Sequence, residues 1–227
     1  MSMPRTTMPL MPLNAVLFPG MPMPLVLWEA RYLQMAEECF DREEPFGVAL
    51  IRKGREVGGE TAETYDVGTT AHVAEYDDGG NHLSLLAIGR RRFRIHSVLD
   101  SGPYPRAEVE FLPDDAQAGV SPEFVADIRA MFAEEIELIV QLLGFGGLQL
   151  EIPAEADKLS YMIAAHLRLP LVDKQMLLEL PTSAERLARE VEIVRRERED
   201  YRLLLAAREH VDETEARRAV GRVFSNN

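Results

Sequence analysis

The hydrophobic periodicity of this chain changes once, within residues 113–119. Before that segment, apolar residues alternate with polar ones or form short runs between Pro and Gly, as in β-strands. After it, apolar residues recur every three or four positions, as on one face of a helix. Strands followed by helices predict an α+β protein. We therefore predict a strand-rich domain at residues 1–115, a helical bundle domain at 120–212 and a polar, frayed tail at 213–227.

The first domain is expected to be a small, partly open β-barrel with one early helix. The predicted strands are Leu10–Phe18, Met23–Trp28, Phe46–Ile51, Val67–Glu75, His82–Ile95 and Pro105–Leu112. Apolar residues at helical spacing predict the helix, over Glu29–Phe40. Gly89 lies in the middle of the longest strand, which predicts a bulge or a bend there.

Helix signals dominate the second domain. Ser121 and Pro122 are typical of a helix start, and Gly144 is typical of the end of the same helix. Two shorter helices are predicted next, over Ala154–Leu167 and Val172–Glu179. The last helix is long and begins with a capping box at 182–185. Its apolar residues follow a 4-3 spacing, which predicts packing near its start and makes residues 182–208 a candidate surface for self-association or for a partner complex.

The overall charge and the cysteine count exclude several classes of protein. The formal net charge of −13 disfavours nucleic-acid binding, because an acidic surface repels phosphate backbones. No apolar run of about 18 residues is present, so no membrane helix is expected. Cys39 is the only cysteine, which excludes a disulfide framework and favours a cytoplasmic protein.

The sequence lacks the residue patterns of three kinds of catalytic or cofactor site. Gly54 and Gly59 have the spacing of a phosphate-binding loop, but Glu60 stands where the lysine is needed and would repel phosphate. No lysine is placed as the partner of a serine nucleophile, and the histidines lack metal-ligand spacing. We therefore predict a non-enzymatic protein with no catalytic residue, no cofactor and no metal.

The stretch Leu13–Tyr32 joins two apolar runs through a Pro-Gly turn and then enters the early helix with two opposite charges. Charges beside a core are costly unless they are paired. The hypothesis is a structural clamp in which Glu29 or Arg31 pairs with a strand arginine, Arg92 or Arg94, or with a nearby carboxylate. This clamp would fasten the early helix to the barrel.

The strand arginines have a second interpretation. A period of two places Arg90, Arg92 and Arg94 on one face of the strand and Arg91 on the other. The shared face either binds an anion or pairs with acidic side chains, and pairing is favoured.

The Met-rich start offers an adaptable contact surface, because methionine accommodates varied partners. The candidate partner-binding residues are Met21, Met23, Trp28 and Tyr32. For the two aromatic residues, a place in the core is the favoured alternative.

Several segments, in the same order, resemble the N-terminal domain of the Lon ATP-dependent protease. The opening segment contributes Leu10, Pro12, Leu13, Leu17, Phe18, Pro19, Gly20, Met21, Leu25, Glu29, Arg31, Tyr32, Leu33 and Met35. The later strands contribute Phe46, Gly47, Val48, Leu50, Ile51, Gly68, Thr69, Ala71, Gly89, Arg90, Arg92, Phe93, Arg94, Ile95, Pro105, Ala107, Glu108, Val109 and Glu110. The helices contribute Asp157, Ala164, Leu167, Lys174, Gln175, Leu177, Leu178, Glu179, Arg186 and Leu187.

The resemblance implies a PUA-like β-barrel followed by a helical bundle. It also implies a stand-alone form of a domain that recognises protein segments, without the ATPase and peptidase that follow it in that family. We expect a groove on the barrel or at the barrel–bundle junction to hold apolar segments with micromolar or weaker affinity. The acidic surface is expected to disfavour acidic segments. The alternatives are an adaptor that acts through the last helix and a PUA-like nucleic-acid binder, which the charge disfavours.

Overall fold

A computed structural model describes residues 4–58, 62–99, 102–113, 119–144 and 150–224, with side chains up to residue 208. Seven strands and five helices lie in these ranges, and they confirm the α+β class. They are β1 (Arg5–Leu13), β2 (Pro22–Leu27), α1 (Ala30–Asp41), β3 (Phe46–Lys53), β4 (Glu63–Thr64), β5 (Val67–Asp78), β6 (Leu83–Leu99), β7 (Arg106–Phe111), α2 (Pro122–Leu143), α3 (Ala156–His166), α4 (Leu171–Glu179) and α5 (Ser183–Phe224). We call residues 4–113 the barrel half and residues 119–224 the helical half.

Five strands form the ring of the barrel. Their order is β1-β7-β6-β5-β3, and β3 returns to β1 through a parallel pairing in which Leu10 lies opposite Gly47. The barrel prediction is confirmed, and this parallel pairing closes the ring that the sequence led us to expect partly open. Strand β2 lies outside the ring and pairs with the first half of β6. Its other edge carries Pro22 and Pro24, which lack the N–H groups that a further strand would need.

The long strand β6 bends at the predicted glycine. Four residues of β6, from Gly89 to Arg92, lie opposite three residues of β5, from Thr69 to Ala71, which defines a β-bulge. A Cβ atom on Gly89 would lie 2.3 Å from the carbonyl oxygen of Phe18. Only glycine therefore fits where the chain after β1 crosses this bend.

The first predicted strand is shifted toward the C-terminus, because β1 spans Arg5–Leu13. Strand β1 ends at Leu13, whereas Leu10–Phe18 was expected to be one strand. Leu17 and Phe18 are nevertheless buried, so the apolar run at their position reflects burial rather than strand pairing.

The helical half follows its capping signals closely. The Ser121 hydroxyl accepts a hydrogen bond from the N–H of Phe124 at 3.1 Å, and Gly144 ends α2 with a φ of 71°. The Thr182 hydroxyl likewise accepts from the N–H of Glu185 at the start of α5. The core of this half is built from α2, α3, α4 and the first part of α5.

Residues 213–224, which fall in the polar tail expected at 213–227, continue the backbone of the helix before them. Helix α5 continues without a break from Ser183 to Phe224, the last described residue. Residues 114–118, at the boundary expected between the two domains, lie outside the described residues. None of the helices in the described ranges combines the length and the apolarity needed to cross a membrane.

Candidate functional site

A cavity of about 390 Å³ lies where the barrel half meets the helical half. This volume is within the range of pockets that hold ligands. Four segments line it: a turn at 19–21, the bend of β6, the residues after β7 and one face of α3 with Pro153 of the loop before it. We call it the junction groove, and its lining is Pro19, Gly20, Met21, Gly89, Arg90, Arg91, Arg92, Leu112, Pro113, Pro153, Asp157, Lys158, Tyr161 and Met162.

The Pro-Gly turn forms one wall of the junction groove. The N–H of Met21 donates to the carbonyl of Phe18 at 3.1 Å, with Pro19 and Gly20 between them. Gly20 has a φ of 79°, so this is a type II turn, in which proline presets the first central residue and glycine supplies the positive φ. Two backbone hydrogen bonds tie the turn to Gly89 of β6, at 2.8 and 3.0 Å. The turn and the bend of β6 therefore hold each other in place.

The bulge in β6 decides where the strand arginines lie. Arg90 and Arg91 are both exposed, whereas Arg92 is buried. The expectation that Arg90, Arg92 and Arg94 share one face is wrong, because the bulge inserts an extra residue and breaks the period of two. Two consecutive arginines consequently lie on the wall of the groove. The Arg91 guanidinium lies over the Phe111 ring, 4.4 Å from its centroid.

Arg92 and Gln175 fasten the two halves together, and we call their hydrogen bonds the junction contacts. The Arg92 guanidinium donates to the carbonyl oxygens of Leu178, Leu180 and Pro181 at 2.9, 2.6 and 3.2 Å. The last carbonyls of a helix have no partner within it, so α4 needs such donors at its end. The Gln175 amide donates to the carbonyl of Val67 on β5 at 2.9 Å.

The floor of the junction groove is an aromatic ring that contacts two cations. The Tyr161 ring lies 4.1 Å from the Arg186 guanidinium and 5.9 Å from that of Arg92. Arg186 is fully buried and donates to the Ser160 hydroxyl and to the carbonyl of Leu180, both at 3.0 Å. The end of α4 thus receives one donor from each half of the molecule.

The hypothesised clamp has a different form from the one expected. Glu29 pairs with Arg31 itself, at 2.9 Å, rather than with a strand arginine. Arg31 also donates to the carbonyl of Gly58 at 2.8 Å. Arg92 fastens the helical half rather than α1, and Arg94 is exposed. Glu29 and Arg31 pair with each other at the start of α1. The Glu29 carboxylate therefore needs no cation from a distant strand.

The four residues considered for partner binding do not form one site. Met21 lines the junction groove, and Met23 is half-buried against the barrel core. Tyr32 is 6 % exposed and belongs to that core, as its favoured alternative predicted. Trp28 is 62 % exposed and stacks on the His82 ring at 4.8 Å, so a core position was the wrong expectation for it. The length of β2 separates Trp28 from Met21.

The remaining candidates for chemistry have structural surroundings. Lys158 pairs with Glu155 at 2.6 Å, and Lys174 donates to the carbonyl of Ala165 at 2.7 Å. Burial raises the pKa of the Cys39 thiol to about 11, which keeps it protonated and unreactive at neutral pH. Glu60 lies outside the described residues together with 59 and 61. Within the described ranges, no group of three or more His, Cys, Asp or Glu side chains is placed to hold a metal ion.

The helical half buries carboxylates that do not line the junction groove. Burial raises the pKa of Glu135 to about 8, and the neighbouring Glu197 carboxylate adds to this rise. Burial also raises the pKa of Glu190 well above its usual range, although the Arg186 charge opposes the rise.

Sequence reasoning identified the barrel side of the junction groove and missed the helical side. The Pro-Gly turn and the arginines after Gly89 were singled out, whereas Pro153, Lys158 and Met162 were not. An ordinary amphipathic helix such as α3 carries no local signal of which half-buried residues face a groove. Its approach to the turn depends on the junction contacts.

Comparison with known proteins gives one consistent result. The family profile of the substrate-binding domain of ATP-dependent protease La (LON) matches residues 7–196. The Lon protease of Anaeromyxobacter dehalogenans is 28 % identical over 200 residues, covering 86 % of this chain and 24 % of that protein. Lon protease 2 of Herpetosiphon aurantiacus is 34 % identical over 196 residues, covering 80 % and 23 %. The chain thus spans about a quarter of the length of these relatives.

Two solved structures share the fold. The Lon N-terminal domain protein from Xanthomonas campestris superimposes with a TM-score of 0.61 at 25 % identity, covering 81 % of this chain and 96 % of that one. The N-terminal domain of the Mycobacterium avium complex Lon protease gives a TM-score of 0.55 at 18 % identity, covering 83 % and 98 %. The likeness extends over nearly the whole of both solved chains.

Proposed function

This chain belongs to the family of substrate-binding domains of the ATP-dependent protease La (Lon), and from that premise we propose that it is a non-catalytic protein-recognition module. Its ligand is an extended segment of an unfolded or partner polypeptide. A domain that binds segments needs a concave apolar surface rather than reacting groups, and the molecule offers one at the junction of its two halves.

The observation that carries the proposal is the junction groove. Its volume of about 390 Å³ accommodates side chains, and proline, methionine, leucine and tyrosine supply its apolar surface. Methionine suits a site that must accept varied side chains, because its long flexible side chain adapts to their shapes. Both Met21, on the turn, and Met162, on α3, line the groove.

A peptide-binding measurement tests the proposal. Fluorescently labelled peptides from unfolded proteins should bind the full chain with dissociation constants in the micromolar range or weaker, as small interfaces do. The Met162→Ser variant should bind about three- to tenfold more weakly, because it removes part of an apolar contact worth about 1 kcal/mol. Val172→Ser, at an exposed apolar position of α4 outside the groove, is the matched control. A peptide panel without any binding would refute the proposal.

A second candidate function rests on α5. Leu203 and Leu204 are exposed on this helix, at 62 % and 53 %, and the backbone of α5 continues for twenty residues beyond Leu204. An exposed apolar pair on a long helix is typical of a surface that meets another chain. This favours an adaptor that associates through α5, with a second copy or with a partner complex.

Light scattering tests the self-association form of this adaptor. A dimer of the full chain that dissociates when both leucines are replaced by aspartate would support it. A monomer across the concentration range would exclude self-association. The start of α5 must stay in any truncation, because Leu187 and Val194 are fully buried in the core.

A further inference from the structure

The junction groove is positively charged although the chain as a whole is strongly acidic. Arg90, Arg91, Arg92 and Lys158 line it, and Asp157 is the one acidic residue of its lining. The formal net charge of the chain is −13. The lining of this groove is thus opposite in sign to the acidic surface that was expected to disfavour acidic segments.

We propose that the junction groove selects polypeptide segments in which acidic side chains flank an apolar one. The proposal rests on the proposed function, since it names the class of segment that the groove takes. The apolar side chain contacts Met21, Tyr161 and Met162, and the flanking carboxylates face the arginines of β6. Guanidinium groups suit this role because their planar forked donors match a carboxylate.

Two of the four cations are available to a ligand. Arg92 donates to the three carbonyls at the end of α4, and Lys158 already pairs with Glu155. Arg90 is exposed, and no carboxylate in the described part of the chain forms an ion pair with it. Arg91 lies over the Phe111 ring, and no carboxylate in the described part of the chain forms an ion pair with its guanidinium. These two arginines are the expected carboxylate partners.

The bulge at Gly89 is what brings both arginines to the groove. In a regular strand, consecutive side chains point to opposite faces, so one of the two would point away from the other. The inserted residue leaves Arg90 and Arg91 both exposed beside the Pro-Gly turn. Bulges that redirect side chains in this way are common next to functional sites.

The distribution of charge favours acidic side chains within a segment over the carboxylate at a chain end. Arg90 and Arg91, the two available cations, both lie on the β6 wall of the groove. A single terminal carboxylate pairs with one of them. A segment with more than one acidic residue pairs with both.

Three labelled peptides test the proposal on the full chain. They share one apolar core and carry Glu, Gln or Lys on both sides of it. At about 0.1 M salt the Glu peptide should bind about tenfold more tightly than the Lys peptide, with the Gln peptide between them. The preference should shrink at 1 M salt, where exposed charges are screened.

Variants that remove one positive charge test whether Arg90 causes the preference for the Glu peptide. Arg90→Gln should weaken binding of the Glu peptide about three- to fivefold and leave the Gln peptide unchanged, and Arg90→Lys should restore part of the loss. Arg94→Gln is the matched control, since it removes the same charge from an exposed position of β6 outside the groove. An equal loss in Arg90→Gln and Arg94→Gln would overturn the proposal, because the preference would then reflect overall charge.

The peptide measurements distinguish a failure of the acidic preference from a failure of the proposed function. Equal binding of all three peptides, weakened by Met162→Ser, overturns the acidic preference and leaves the protein-recognition function in place. Tighter binding of the Lys peptide also overturns the preference. If none of the peptides binds, both the proposed function and the preference for acidic segments are refuted.

Discussion

The barrel half and the helical half bury different kinds of side chain. In the barrel half, the buried polar residues among those described are three threonines and Arg92, which reaches into the helical half. The helical half buries Glu135, Arg186, Glu190 and Glu197. Strands that pair around a closed ring satisfy one another's backbone groups, whereas short helices end with unpaired carbonyls. Arg92 and Arg186 serve the end of α4, and the charge of Arg186 also acts on the buried Glu190.

The contrast implies different responses to substitution. The barrel half should respond to changes in side-chain volume and hardly to pH. The helical half should respond to the removal of a charge and to pH. The four predictions below test this difference, starting with the largest expected effect.

Arg186→Ala should destabilise the protein by about 3–5 kcal/mol, because it leaves Glu190 buried without its cation and removes a donor from Leu180. Urea unfolding followed by circular dichroism measures this loss. The double variant Arg186→Met with Glu190→Leu should recover most of it, since an apolar pair of similar volume needs no charge partner. If Arg186→Ala lowers the free energy of unfolding by less than about 1 kcal/mol, the helical half does not depend on charge more than the barrel half does.

Gly89→Ala should destabilise the barrel half by about 1–3 kcal/mol, because the added Cβ meets the Phe18 carbonyl at 2.3 Å. The same unfolding measurement applies, and peptide binding should fall as well, because the Pro-Gly turn is displaced. Ser97→Ala, an exposed position further along β6, is the control and should change stability little. Unchanged stability in Gly89→Ala would show that the bend tolerates a side chain.

Glu135→Gln should raise the melting temperature by about 2–4 °C at pH 8 and by less at pH 5. The pKa of Glu135 in the folded protein is raised to about 8, so its proton favours folding at low pH. That contribution is fully present below the pKa of the unfolded chain and is lost as the pH rises through about 8. Glutamine keeps the neutral form at every pH.

Glu134→Gln is the control of opposite sign for this pH series. Hydrogen bonding to Arg202 holds the pKa of Glu134 below its usual value, so its contribution is present above the unfolded pKa and is lost as the pH falls. If both variants shift in the same direction with pH, burial is not the cause of the Glu135 effect.

Arg31→Ala should cost about 1 kcal/mol, because the Glu29 pair is only partly buried and solvent screens it in part. A thermal melt is sufficient to detect this. Arg42→Ala, which removes a more exposed pair with Glu38, should leave the melting temperature unchanged. A loss for Arg31→Ala as large as that for Arg186→Ala would mean that the barrel half also depends on charge pairs.

Most of the fold was predictable because its signals are local. The caps at Ser121 and Thr182 and the bend at Gly89 depend on residues a few positions apart, and the structure confirms them. Predictions of contacts between residues far apart in the sequence were less accurate. Arg92 was expected at α1 and instead reaches Leu178, 86 positions further along the chain.

The sequence by itself determined the order of the longer strands and of the helices, the Pro-Gly turn and the family, but not the short strand β4. The tertiary structure alone decided that a turn, a strand bend and a helix face enclose a positively charged groove in an acidic protein. The physical reason is the range of the interactions. Backbone preferences and caps act over a few residues, whereas the charge of a groove depends on which side chains distant elements bring together and which of them are already paired.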